Sequence, residues 1–268
     1  MSVRDGGAPG NRSTVSDPES KFTFGDVSVV MGTYNEEAAI GTVLSDIERV
    51  TDGEAEVVCV DGSSDRTPEI AREQGARVIE QEPRGYGVAV ERALREASRP
   101  VIVTTDCDDT YPMEQLPEFL DRINAGADIV SGDRLSGGAS AMPAFNRLGN
   151  HAFAALASVL LGRRVRDTTT GMRAYRREVI ESIAWTENTG LSAELLMRPI
   201  ARGYDVVEIP IAYDDRLGET TLDPLAGGAA IAKSILTVGI EETLRRPAAR
   251  TEAGDHGTDD RPTADGTQ

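Results

Sequence analysis

Val101-Ile102-Val103-Thr104-Thr105-Asp106-Cys107-Asp108 is the stretch on which the fold turns. Val101–Thr105 is apolar or β-branched at every position and reads as a strand buried on both faces, the habit of parallel sheets. Two carboxylates one residue apart close it at its carboxyl end, where open α/β sheets bind ligands. Alternation along a strand sends such a pair to opposite faces, so only a turn lets both converge. Converged, they make a hard oxygen site suited to Mg2+ or Mn2+, cations that commonly carry a diphosphate. A solvated acidic turn over Asp106–Asp109 is the competing reading.

Working outward, strand and helix patterns alternate. Val27–Met31 is a predicted strand. Glu37–Val50 is a predicted helix with Ile40, Val43, Leu44 and Ile47 on one face. Glu56–Val60 is a strand ending at Asp61, followed by a helix with Thr67 as N-cap and Pro68 in the first helical position. Ala76–Glu80, Pro100–Thr105, Asp128–Ser131, Met172–Arg176 and Val206–Ala212 are further strands; Tyr86–Ala97, Leu116–Asn124, Phe145–Leu161, Ser192–Arg202 and Pro224–Arg245 are helices. This alternation implies βαβ units and a mostly parallel sheet in an α/β fold. The ends, 1–25 and 247–268, are rich in Gly, Asp, Thr and Pro and read as disordered tails. One α/β domain is expected over 26–246, its first half (26–135) carrying a nucleotide site and its second (136–246) facing an acceptor.

The chain has 268 residues and a formal charge of −17, from 45 acidic and 28 basic residues. Lys21 and Lys233 are its only lysines. Acid excess with almost no lysine points to a high-salt habitat, where surface carboxylates are screened. It also argues against nucleic acid as a partner, which calls for a basic stripe. Cys59 and Cys107 form no disulfide or zinc pattern, in keeping with a reduced, cytoplasmic location. No signal peptide is expected, and the longest apolar stretches, Ala152–Gly162 and Leu225–Ala232, fall short of the ~18 residues a spanning helix needs.

Three predicted strands end in polar clusters: Thr33-Tyr34-Asn35-Glu36, Asp61-Gly62-Ser63-Ser64-Asp65-Arg66-Thr67 and Asp106-Cys107-Asp108. That layout suits a nucleotide, although neither the dinucleotide fingerprint nor a Walker loop is present. Arg84-Gly85, Gly132-Asp133-Arg134 and Asp167-Thr168-Thr169-Thr170-Gly171-Met172-Arg173 follow in order. Together these segments resemble glycosyltransferase family 2, with its GT-A fold, and in particular the polyprenyl-phosphate sugar transferases, over about Val27 to Arg245. The resemblance implies a nucleotide pocket lined by Thr33, Tyr34, Glu36, Asp61, Arg84 and Asp106. It implies a metal on Asp106 and Asp108, with Asp108 the more direct ligand, and an acceptor phosphate held by Arg134, Arg147 and Arg216. Asp106, Asp108 and Arg134 would then carry catalysis. Two departures stand out: Gly32 replaces the family's usual Pro, which would alter loop stiffness, and Thr221 stands where the family has a phosphate-binding Lys.

The implied reaction is inverting transfer of a hexose from UDP- or GDP-hexose to dolichyl phosphate. A phosphate monoester with second pKa ~6 is already largely dianionic at neutral pH and needs no strong general base. Phe145–Leu161 and Pro224–Arg245 are candidate interfacial helices, which would place the protein peripherally on the cytoplasmic face of a membrane, or are ordinary core helices. A soluble transferase with a small phosphorylated acceptor and a non-catalytic nucleotide-binding subunit are the other readings; the intact Asp106 and Asp108 argue against the last.

Overall fold

The computed structural model describes residues 21–137, 141–186, 188–217 and 224–245. Among them seven strands form one sheet: β1 (Val27–Thr33), β2 (Glu56–Asp61), β3 (Arg77–Glu80), β4 (Val101–Thr104), β5 (Ile129–Asp133), β6 (Arg173–Arg176) and β7 (Val206–Pro210), in the order β3-β2-β1-β4-β6-β5-β7. Every pairing is parallel except those of β6, which runs antiparallel to β4 on one side and β5 on the other. The expected halves are therefore interleaved: a strand of the second half is wedged between two strands of the first.

Alternate residues of the central strands feed two cores. Val30, Val58, Val60, Ile102 and Ile129 point to the side covered by α3 (Tyr86–Glu96), α6 (Ala144–Leu161), α7 (Arg177–Ser182), α8 (Leu191–Ala201) and α9 (Pro224–Arg245). Val27, Val29, Met31, Cys59, Val101 and Val103 point to the other, where α1 (Ile40–Thr51) and α4 (Leu116–Asn124) pack. Strands buried on both faces give the continuous apolar runs seen in the sequence. On α1 the predicted stripe Ile40, Val43, Leu44 and Ile47 is buried. Burial holds the Cys59 thiol up at about 12, so it stays protonated and inert.

Some local readings shift. Thr67 is not the N-cap but the first residue of α2 (Thr67–Glu73). The Asp65 carboxylate takes the capping role, accepting from Thr67 N at 3.0 Å, while Thr67 Oγ1 accepts from Glu36 N at 2.8 Å. Gly32 lies inside β1, not in a loop. A Cβ there would come within 2.8 Å of Ala89 Cβ, so this glycine sets how closely α3 approaches the sheet rather than how stiff a loop is. The expected N-terminal tail also yields its last residues to the fold: Phe22 N donates to Asn124 Oδ1 at 2.8 Å, and Asn124 Nδ2 returns a bond to Phe22 O at 3.0 Å. The tail 247–268 lies outside the described residues.

The final helix is pinned by a buried ion network. Arg198 donates to Glu194 at 2.6 Å and to Glu242 and Glu241 at 2.8 Å each, and Arg202 donates to Glu242 at 2.9 Å. Glu194, Arg198 and Glu242 are all buried. Guanidinium suits this duty because its planar fork serves several carboxylates at once.

Candidate active site

The carboxyl ends of β1, β2 and β4 open on one cavity of about 570 Å³. Its lining includes Thr33, Tyr34, Glu36, Arg84, Asp106, Asp108 and Arg216, so seven of the residues expected at the site share one wall system. The turn required for the two aspartates to converge is present. Asp109 has φ +65°, and Thr110 folds back to donate through N and Oγ1 to Asp108 Oδ1, at 3.2 and 2.6 Å. This Asx-type turn reorients Asp108 after the strand has ended at Thr104.

The two aspartates differ in their surroundings. Asp106 Oδ1 accepts from Tyr86 Oη at 2.9 Å. Its Oδ2 lies against Gly171, where a Cβ would come within 2.5 Å of it; any side chain at 171 would push Asp106 aside. Burial and the neighbouring Asp108 raise the Asp106 carboxyl to about 6. Asp108 Oδ2 accepts from Arg216 Nη1 at 2.8 Å, and Arg216 Nη2 donates to Glu36. Burial raises Glu36 to about 7, with Arg216 opposing and Asp108 reinforcing the shift.

These oxygen donors fit Mg2+ or Mn2+, which favour carboxylates and water over nitrogen or sulfur. Among the described residues no three His, Cys, Asp or Glu side chains assemble into a cage. A cation here would rest on Asp106 and Asp108 and complete its shell from outside the protein, as Mg2+ commonly does. The raised Asp106 carboxyl must lose its proton for the pair to receive a cation. Mn2+ affinity is therefore expected to fall as pH drops through about 6. Titration of the chain with Mn2+ at several pH values checks this; affinity flat between pH 7.5 and 5.5 contradicts it.

Three expected residues do not line the cavity. Asp61 sits just behind it with its carboxylate fully engaged, accepting from Thr33 Oγ1 at 2.7 Å, Ser63 N at 3.0 Å and Ser63 Oγ at 2.7 Å. It shapes the β1 and β2 termini. Arg134, in the short helix α5 (Arg134–Gly137), is buried; Nε and Nη2 clasp Asp167 at 2.7 and 2.9 Å, and Nη2 also donates to Thr169 at 2.8 Å. Its guanidinium stacks 5.2 Å from the Tyr213 ring centre. Arg147 stands exposed on α6, outside the cavity. Thr221 lies outside the described residues. Glu194, one turn from Arg198 on α8, belongs to the ion network of α8 and α9 and does not line the cavity.

Other contributors escaped the sequence reading. Tyr86 reaches Asp106, and Tyr111 Oη accepts from Gly171 N at 2.7 Å. Asn188 clamps the start of α3: its Oδ1 accepts from Gly87 N at 2.9 Å and Val88 N at 3.3 Å, and its Nδ2 donates to Arg84 O at 2.9 Å. Gly85 adopts φ +103°, and a Cβ on Gly87 would lie 2.1 Å from Asn188 O. The glycines around Tyr86 were the available signal, since they mark backbone that another segment crosses.

The model of the family described as glycosyl transferase family 2 matches residues 28–184. The chain belongs to glycosyltransferase family 2. Its sheet is the GT-A fold. A dolichyl-phosphate hexose transferase of Haloferax volcanii is 70% identical over 226 residues, covering 84% of this chain and 99% of that protein. A polyprenol monophosphomannose synthase of Mycolicibacterium smegmatis is 32% identical over 205 residues, covering 70% of this chain and 77% of that protein. Among solved structures, glucosyl-3-phosphoglycerate synthase from Mycobacterium tuberculosis superposes with a TM-score of 0.64 at 24% identity, covering 81% of this glycosyltransferase and 79% of that chain.

Proposed function

We propose that this glycosyltransferase moves a hexose from a nucleotide diphosphate sugar to dolichyl phosphate, inverting the anomeric centre. The observation that carries the reading is the 70% identity to a dolichyl-phosphate hexose transferase across almost that protein's whole length. The cavity supports it: one lining brings the aspartate pair, Glu36 and Arg216 together with Thr189, Gly190, Ser192 and Ile231 from the α8–α9 side. The structural neighbour from M. tuberculosis has been crystallised with Mn2+ and UDP-glucose, which supports a divalent cation and a nucleotide sugar here.

When bound, the cation neutralises charge on the departing diphosphate. The chain's own residues do the rest. Tyr86 and Gly171 fix Asp106, and Thr110 fixes Asp108, so both carboxylates are positioned before ligand arrives. Arg216 and Arg84 are the cavity's guanidinium groups, suited to phosphate oxygens. No residue need act as a strong base, because the acceptor phosphate arrives ionised.

The acceptor's lipid part matches an exposed apolar strip. On α6, Phe145, Leu148, Ala152, Ala155 and Val159 recur every three to four residues and face solvent; beside it on α9, Leu236, Ile240 and Leu244 do the same. Among the described residues no helix is long and apolar enough to cross a membrane. A surface lying on the bilayer, with the cavity reached near Ile231, accounts for both facts. The test is a transfer assay at high salt with Mn2+, a panel of UDP- and GDP-hexoses, and dolichyl phosphate in vesicles. Transfer to the lipid from one donor is expected; transfer to phosphoglycerate alone overturns the lipid acceptor.

A further inference from the structure

Arg216 occupies the place where the site most needs positive charge. One guanidinium spans two carboxylates from different strand ends, Asp108 after β4 and Glu36 after β1. Its fork is thus split between two acceptors rather than set bidentate on one, the geometry in which guanidinium binds most strongly. Its third nitrogen, Nε, is buried with its N–H lacking an acceptor. A buried donor left bare is costly, so this arrangement is not the one in which Arg216 is best satisfied.

The backbone around Arg216 is fixed while its side chain has somewhere to go. Asp214 N donates to Thr110 O at 3.1 Å and Leu217 N to Asp108 O at 3.0 Å, stitching the segment to the Asp108 turn. The side chain lines the cavity and so can turn into it without moving those bonds. Because Asp108 Oδ1 is taken by Thr110, Oδ2 is the oxygen open to a cation, and Arg216 holds it.

We infer that Arg216 is a stand-in cation, holding Asp108 and Glu36 while the cavity is empty and passing to the donor diphosphate as the divalent cation and nucleotide enter together. The inference rests on the nucleotide-sugar reading above. A divalent cation alone must displace a bound guanidinium that then has no partner, and binds weakly. A diphosphate gives the displaced guanidinium a bidentate acceptor, so each ligand strengthens the other, and by the same factor in both directions. A merely structural arginine predicts the reverse: its loss would loosen the carboxylates and weaken cation binding.

Mn2+ binding to the full chain, followed by electron paramagnetic resonance with and without UDP or GDP, separates the two. Without nucleotide, Arg216→Gln is expected to bind Mn2+ about tenfold more tightly than wild type, a typical coupling. The enhancement that nucleotide brings to Mn2+ affinity should shrink by a similar factor. Arg216→Lys, which keeps the charge but cannot fork, should fall between, and serves alone if the glutamine variant fails to show a cooperative melt. Unchanged or weaker Mn2+ affinity in folded variants, with coupling as in wild type, overturns the stand-in role while leaving the nucleotide-sugar reading in place. A wild-type chain that takes up neither Mn2+ nor nucleotide overturns both.

Discussion

Asp108→Asn is expected to lower hexose transfer by about a thousandfold or more, since several kcal/mol of charge stabilisation in the transition state depend on such a group. The substitution is chosen for what it preserves. An asparagine oxygen still accepts the two bonds from Thr110 that hold the turn, so the fold should melt as wild type does. What it removes is the negative oxygen now facing Arg216 and available to a cation. Steady-state rates over a range of Mn2+ concentrations check this. A drop below tenfold with unaltered Mn2+ dependence would return Asp106–Asp109 to the status of a solvated acidic turn.

Arg134→Leu is expected to destabilise the protein by about 3–5 kcal/mol, the usual cost of removing one member of a buried ion pair. The Arg134–Asp167 pair is buried on both sides, 7% and 0% exposed. Loss of the guanidinium leaves the Asp167 carboxylate without its main counter-charge, and the Arg134 side chain is what now holds that carboxylate below the ordinary aspartate range against the effect of burial. Thr169, on the cavity wall, would lose a donor in the same step. Urea denaturation measures the effect. Arg134→Lys should recover little, since a point charge cannot replace the fork on Asp167. If instead the denaturation midpoint holds and only the KM for the lipid phosphate rises, Arg134 belongs to the acceptor site as the family resemblance implies.

The strand ends were legible because the sheet is parallel and buried on both faces: runs such as Val101–Thr105 are apolar until they stop, and the residues that stop them lie at one edge. Tyr34, Glu36, Asp106 and Asp108 could be read there for that reason, and the one-residue spacing of the aspartates carried its own requirement, a turn. What escaped reading depends on partners distant in the chain. Arg134 looks like a phosphate ligand beside a strand end until Asp167, 33 residues away, is found clasping it. Asn188 caps a helix that starts about a hundred residues earlier. Periodicity describes a residue's own element and carries nothing about such crossings. The direction of β6 was equally hidden, because four residues alternate in the same way whichever way they run.

That reversed strand ties the closing of the sheet to the making of the site. β4 and β5 do not pair with each other; β6 joins them, and the segment that leads into β6, Asp167 to Gly171, supplies Thr169 to the cavity and the close wall behind Asp106. The chain up to β5 contains the acidic turn but neither the strand that joins β4 to β5 nor the segment that lies against Asp106. In the folded chain Arg173–Arg176 bridges β4 and β5 while the residue before Met172, Gly171, backs Asp106, so the strand that closes the sheet also carries one wall of the carboxylate pair.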